Sequence, residues 1–287
     1  MSKIKILDGG MGTELIKNGE KLPNHIWSAS TNLTNPKLVY RIHKNYIKAG
    51  SDYIITNTFR TTPRAFRKTG LSIEKASNQA KKSFDLAIQS AKKASNKKIP
   101  ILGSIAPLED CYTPEIFPGQ DKAIKEFYEL AEWFSDKKID FFLLETMNSI
   151  IETEICLQTI KTFNIPIWVS FNLLNSNQIR SGEKLSDAIN MIKKFPVNYL
   201  LLNCNPLDRT SNALKIIKKN WPLEWGLYPN LGIGEPSPDG IINNYCTNKD
   251  FLNLITESIN LGANILGGCC GASPRHINLI KKTVKGV

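Results

Sequence analysis

Ala263-Asn264-Ile265-Leu266-Gly267-Gly268-Cys269-Cys270-Gly271 is the stretch from which the rest of the chain is read. Its first four residues, small or apolar, read as a short buried strand that runs straight into two glycines and two adjacent thiols. Ser273-Pro274 follows, a helix-capping residue and a proline suited to a first helical turn. Consecutive Cα atoms sit about 3.8 Å apart, whereas ordinary disulfides span roughly 4.4–6.8 Å, so Cys269 and Cys270 make a poor bridge to each other. They suit a soft metal better, provided that a third ligand arrives from elsewhere.

Working outward from that strand, short apolar runs alternate with longer amphipathic segments along the whole chain. Strands are expected at Ile4–Leu7, Tyr53–Thr56, Ile101–Ile105, Phe141–Leu144, Ile167–Phe171, Tyr199–Asn203, Glu224–Leu227 and Ala263–Leu266. Helices are expected over 36–49, 72–94, 121–138, 149–163, 184–194, 208–219, 249–261 and 274–285. The first is the clearest. Leu38, Val39, Ile42 and Tyr46 recur at helical spacing between Asn35-Pro36 and Gly50. Residues 10–30 and 229–246 read as irregular. Eight strands with intervening helices is the count of a (β/α)8 TIM barrel, expected here as a single domain over 1–287. A doubly wound open sheet stays as the alternative fold. No Gly-x-Gly-x-x-Gly follows the first strand, so a dinucleotide fold has little support.

Chemically capable residues cluster at the C-terminal ends of these strands, the face where barrel enzymes keep their sites. Asp8-Gly9-Gly10-Met11 follows the first strand, Asn57 and Phe59 the second, and Glu145 the fourth. Cys204 follows the sixth, directly after Asn203, and Tyr228-Pro229-Asn230 follows the seventh. On a barrel, Cys204 comes close to Cys269 and Cys270. Three thiolates without a fourth ligand describe zinc with an open position. His276 is a weaker fourth candidate, Cys156 reads as core, and Cys111 and Cys246 fall in loops. A substrate thiol entering the open position loses its proton near neutral pH, so alkyl transfer to sulfur is the expected chemistry. Asp8 and Glu145 can clamp an ammonium group, and backbone N–H groups of Gly9 to Gly12 can cradle a carboxylate. Trp27, Phe59 and Tyr228 offer ring faces to a methylated cation.

Composition bounds the alternatives. The 287 residues are 41% hydrophobic and 22% charged, as in a soluble globular protein, with no run near the roughly 18 apolar residues of a membrane span. The net charge of +11 is spread over lysine pairs in the expected outer helices, without interleaved aromatics, so neither nucleic acid nor a membrane is expected as a partner. The short apolar start Met1–Leu7 ends at Asp8, too soon for a signal peptide, and six cysteines then read as reduced thiols in a cytoplasm.

These motifs together resemble the homocysteine S-methyltransferase family. The matching segments are Asp8–Leu15, Thr56–Phe59, Gly103–Pro107, Leu144–Thr146, Asn203-Cys204 and Gly267–Gly271. The resemblance implies a zinc-bearing barrel with Cys204, Cys269 and Cys270 as ligands. It further implies Asp8 and Glu145 on the amino group of L-homocysteine, with the Gly9–Met11 loop near its carboxylate. Asn57, Asn203 and Asn230 join this substrate-binding set. The donors of such enzymes include S-methylmethionine, betaine, dimethylsulfoniopropionate, S-adenosylmethionine and methylcorrinoids. Trp27-Ser28-Ala29 is similar to the segment of S-methylmethionine-using members. The loop Tyr228–Glu235 departs from the shorter family form. The chain ends soon after Gly271, and a stand-alone barrel implies a small methyl-onium donor. Two other readings stay open: a component served by a separate methylcorrinoid protein, and a non-catalytic zinc or redox-sensing thiol protein.

Overall fold

The computed structural model describes residues 3–234, 242 and 244–286. Eight parallel strands form its frame: β1 Lys5–Ile6, β2 Ile54–Ile55, β3 Ile101–Ile105, β4 Phe141–Met147, β5 Ile167–Phe171, β6 Val197–Asn203, β7 Glu224–Tyr228 and β8 Ile265–Leu266. From β2 to β8 each pairs with the next in sequence, and β8 pairs back onto β1. The β1–β2 junction closes by a different device. The amides of Asp52 and Tyr53 donate to the Ile6 carbonyl at 2.7 and 3.2 Å. Two carboxylates then stand in for ladder partners: Asp52 Oδ2 accepts from Ile6 N–H at 2.9 Å, and Asp8 Oδ2 from Ile55 N–H at 3.0 Å. Strands of two residues cannot satisfy their own backbone, so side chains complete the ring. The TIM-barrel expectation holds.

Strand alternation sorts the side chains. Phe142, Leu144, Val169, Phe171, Leu200 and Leu202 point outward into the main core beneath the helices. Leu7, Leu102, Leu143, Trp168, Leu201 and Ile265 fill the interior. Trp168 plugs the floor, its ring centroid 4.2 Å from that of Tyr199 and 5.2 Å from that of Tyr53. Two residues further along the inward faces stand Ser104, Glu145, Ser170 and Asn203, so the interior turns polar toward the C-terminal mouth.

The outer helices follow their sequence signals. Helix α3 (Pro36–Ala49) is capped by the Asn35 side chain, which accepts from Leu38 N–H, and ends at Gly50 with φ 120°. Helix α10 (Asn248–Leu261) opens with a reciprocal Thr247–Asp250 capping box. Helices α5 (Ile73–Ser95), α6 (Gln120–Asp136), α7 (Ile150–Ile160), α8 (Leu185–Ile192), α9 (Leu207–Asn220) and α11 (Pro274–Lys285) complete the outer ring. Residues 10–30 are not wholly irregular. They contain α1 (Met11–Lys17) and the start of α2 (Ala29–Thr34), too short for a periodicity argument. The short α4 (Pro63–Arg67) and a hairpin after β5, Leu173–Asn175 with Gln178–Ile179, were likewise not expected. Part of the expected loop 229–246, including Glu235, lies outside the described residues.

Candidate active site

Cys204 leaves the end of β6 at φ 54°, and Cys269 and Cys270 follow β8. Their three sulfurs lie within 4.8 Å of one another. Cys204 and Cys269 are drawn together as a sulfur–sulfur pair with Cα atoms 5.6 Å apart, while the Cys270 thiol stands unpaired. Thiols placed this way join each other when oxidised and share a soft metal when reduced. A metal fits this donor set, and the adjoining cavity leaves room for a further ligand. His276 stays apart, its Nδ1 accepting from Ser273 N–H. Cys156 is fully buried core, as expected.

A buried asparagine network holds the cysteine loops. Asn172 Nδ2 donates to the Cys204 carbonyl at 3.0 Å, and Asn205 Oδ1 accepts from Leu173 N–H at 2.7 Å. The Asn230 amide donates to the Asn205 carbonyl at 2.9 Å, and Asn230 Oδ1 accepts from Cys270 N–H at 3.1 Å. Asn203 works on the next strand. Its Oδ1 accepts from Thr146 N–H at 3.1 Å and Ser170 Oγ at 2.6 Å, and its Nδ2 donates to Thr146 Oγ1 at 2.7 Å. Thr146, directly after Glu145, sits at φ 60° where the β4 register shifts. Left-handed backbone at a β-branched residue costs about 1–3 kcal/mol, which the two bonds from Asn203 to Thr146 help offset. Gly10 matters for a different reason: a Cβ there would lie 2.6 Å from the Cys269 carbonyl oxygen. Only glycine lets the first loop approach the thiols so closely.

A cavity of about 430 Å³ opens above the thiols, within the range of small-molecule sites. Asp8, Gly9, Gly10, Met11, Trp27, Asn57, Phe59, Glu145 and Tyr228 line it with the three cysteines. Asn203 and Asn230 do not; they sit behind the wall and hold what does. Asn57 also works chiefly as a brace, accepting from Ser28 Oγ at 2.5 Å and donating to Asn32 Oδ1 at 2.8 Å. The Tyr228 ring is packed inside the barrel, and its buried hydroxyl stands beside Glu145 and Ser170. Sequence reasoning missed Arg60, Cys111, Tyr112 and Arg180 on the same wall. Cys111 was placed only as a loop thiol, and Arg180 stands on the unforeseen hairpin.

Burial dominates the electrostatics. It lifts the Asp8 carboxyl well above the usual carboxylate range, the Ile55 N–H opposing and the Glu145 charge adding to the rise. Glu145 is also raised by burial, against the stabilising Ser104 hydroxyl, which donates to Glu145 Oε2 at 2.5 Å. The Cys270 and Cys111 thiols are pushed up by burial to about 11 and about 12. Asp8 and Glu145 face one cavity and neither forms a salt bridge among the described residues, which favours a ligand that brings a positive charge.

An α/β barrel whose C-terminal mouth brings together three thiols able to hold a metal and the carboxyls of Asp8 and Glu145 has the architecture of a barrel enzyme. More specifically, the chain belongs to the homocysteine S-methyltransferase family, whose model matches residues 5–284. It is 29% identical to homocysteine S-methyltransferase 2 of Zea mays, over 97% of this chain and 89% of that one. Among solved structures it is similar to the homocysteine methyltransferase MmuM of Escherichia coli. The oxidized form superposes with a TM-score of 0.83 at 26% identity, covering 97% of this chain and 95% of that one. The metallated form gives 0.81 at 26% identity, over 98% and 96%. None of the helices described is long and apolar enough to cross a membrane.

Proposed function

We propose that this protein transfers a methyl group from a small onium donor to the sulfur of L-homocysteine, giving methionine, with zinc held by Cys204, Cys269 and Cys270. The observation that carries this reading is the convergence of three sulfurs, within 4.8 Å, on a cavity that also receives Asp8 and Glu145. Zinc bound there would supply one thing, stabilisation of the substrate sulfur as thiolate near neutral pH.

The chain's own groups do the rest. Asp8 and Glu145 hold the homocysteine ammonium, whose positive charge opposes the rise that burial gives both carboxyls. Backbone N–H groups from Gly9 to Met11 face the carboxylate. Trp27 and Phe59 line the wall where a methylated cation would pack against ring faces. The Tyr228 hydroxyl adds a buried donor beside Glu145. As the new S–CH3 bond forms, the bond from methyl to the onium centre breaks and its electron pair stays on the donor. Opposite charges cancel in that step, so a cavity that excludes water favours it. This reading treats residues 1–287 as one barrel unit working in a reducing compartment, the cytoplasm, where the thiols stay available.

The test is methionine formation by zinc-loaded protein, with homocysteine and methyl-labelled donors supplied one at a time. Label from one onium compound establishes reaction and donor together. Turnover only with an added methylcorrinoid protein would instead place the chain as a partner-dependent component. The pairing of Cys204 with Cys269 favours one further alternative, a redox-responsive thiol protein. That would show reversible zinc release on oxidation and no homocysteine-dependent product. Cys204→Ala with zinc and turnover intact would refute the three-thiolate assignment.

A further inference from the structure

We infer that Tyr46 is a positioning residue, joining the loop that cradles the amino acid to the loop that carries two of the thiols. Through it, homocysteine and the metal strengthen each other's binding by way of the protein, beyond the sulfur–metal bond itself. The inference rests on the methyl-transfer reading and deepens it.

Tyr46 sits on α3, fully buried, and stands behind the cavity wall rather than on it. Its hydroxyl donates to the Gly10 carbonyl at 3.1 Å and to the Ala272 carbonyl at 3.1 Å. Gly10 belongs to the loop after β1, and Ala272 follows Cys269, Cys270 and Gly271 after β8. A hydroxyl has one proton, so these two acceptors share it. Both contacts lie just past the usual O–H···O range of about 2.5–3.0 Å, which leaves room to tighten when either loop is drawn in. The ring presses on Gly9, where a Cβ would come within 2.7 Å of Tyr46 Cε1. Phenylalanine would pack there equally well; the hydroxyl adds only the bridge.

Three further contacts interlock the same two loops. Gly271 N–H donates to Thr13 Oγ1 at 2.8 Å, Gly268 N–H donates to the Asp8 carbonyl at 3.3 Å, and the Cys269 carbonyl lies against Gly10. Gly9, Gly10, Met11 and Thr13 line the cavity together with Cys269 and Cys270. A carboxylate drawn onto the N–H groups of Gly9 to Met11 therefore fixes the backbone from which Tyr46 and Thr13 hold the thiol loop. Two of the three sulfurs are then set in place before a metal arrives, which lowers the ordering cost of its binding. Linkage makes the effect reciprocal, so a metal on the thiols prepares the cradle by the same factor.

L-Norvaline carries a methyl group where homocysteine has its thiol, so it can occupy the amino-acid site without ligating a metal. Zinc affinity is measured by chelator competition with and without norvaline, and norvaline affinity by calorimetry with and without zinc. In the wild type each ligand should tighten the other by about fivefold or more. Tyr46→Phe should bring that factor close to one while both ligands still bind. Thr13→Val should reduce it, and Thr13→Ser, which keeps the acceptor for Gly271, should retain it. If Tyr46→Phe does not fold, the Thr13 pair decides. An unchanged factor in Tyr46→Phe and Thr13→Val, with only the thermal midpoint or the two separate affinities lowered, would make both residues structural and overturn the inference. So would a wild type that shows no coupling, or that binds homocysteine but not norvaline, since the sulfur–metal bond would then be the only link. If the zinc-loaded wild type binds no homocysteine at all, the methyl-transfer reading fails first, and this coupling with it.

Discussion

Asp8 accepts a hydrogen bond from Ile55 N–H at the barrel seam and lines the substrate cavity, so one carboxyl serves fold and site together. Asp8→Asn separates the two roles, because an amide oxygen can still accept from Ile55 while the charge is gone. Homocysteine KM should rise about tenfold or more, with the thermal midpoint little changed. Asp8→Ala should lower both affinity and stability. Asn203 is the complementary case, touching no ligand yet holding Thr146 in its left-handed conformation beside Glu145. Asn203→Ala strands the buried Thr146 amide and Ser170 hydroxyl, and denaturant titration should register a loss of about 1–3 kcal/mol. The same change should weaken zinc binding about 10–100-fold in chelator competition, as is usual when a group supporting a metal site is removed. Unchanged zinc affinity would show that the asparagine network braces the fold alone.

At the scale of elements, the segment between β3 and α7 is pinned from behind by Glu152, in the first turn of α7. That carboxylate is buried among Arg60, Arg64 and Glu109 and accepts from the Leu108 amide. Burial is the main cause that raises it from 4.5 to about 7. Between those values the folded protein holds a proton that the unfolded chain has released, so stability falls as pH rises through this window. Glu152→Gln keeps an acceptor for Leu108 and cannot ionise. It should flatten the decline between pH 5 and 8 and add about 1–3 kcal/mol of stability at pH 8. Chemical denaturation at a series of pH values measures this directly; parallel curves for wild type and variant would refute it.

For the whole molecule, the weakest closure is the β1–β2 seam, where carboxylates replace ladder partners. Asp52→Ala leaves the Ile6 amide without its acceptor and should cost about 1–3 kcal/mol. Native-state hydrogen exchange should then quicken at Ile6 and Ile55 before it does in β4, β5 or β6. Exchange that rises evenly around the ring would mean that the seam opens only with global unfolding.

Periodicity and turn chemistry were enough to place all eight strands and the long outer helices, because each buried face repeats its signal over several residues. Cys204, Cys269 and Cys270 were legible as well: a strand-end position carries chemistry on its face, and a barrel brings every strand end to one rim. Three things required the tertiary structure. The short α1 and the hairpin after β5 offer too few residues for a period to emerge. The asparagines divide between wall and brace according to which buried amides need an acceptor, and that depends on neighbours far away in sequence. Arg60 and Arg180 reach one cavity wall only because separate loops fold onto Glu109 and Tyr112, an arrangement with no local signature.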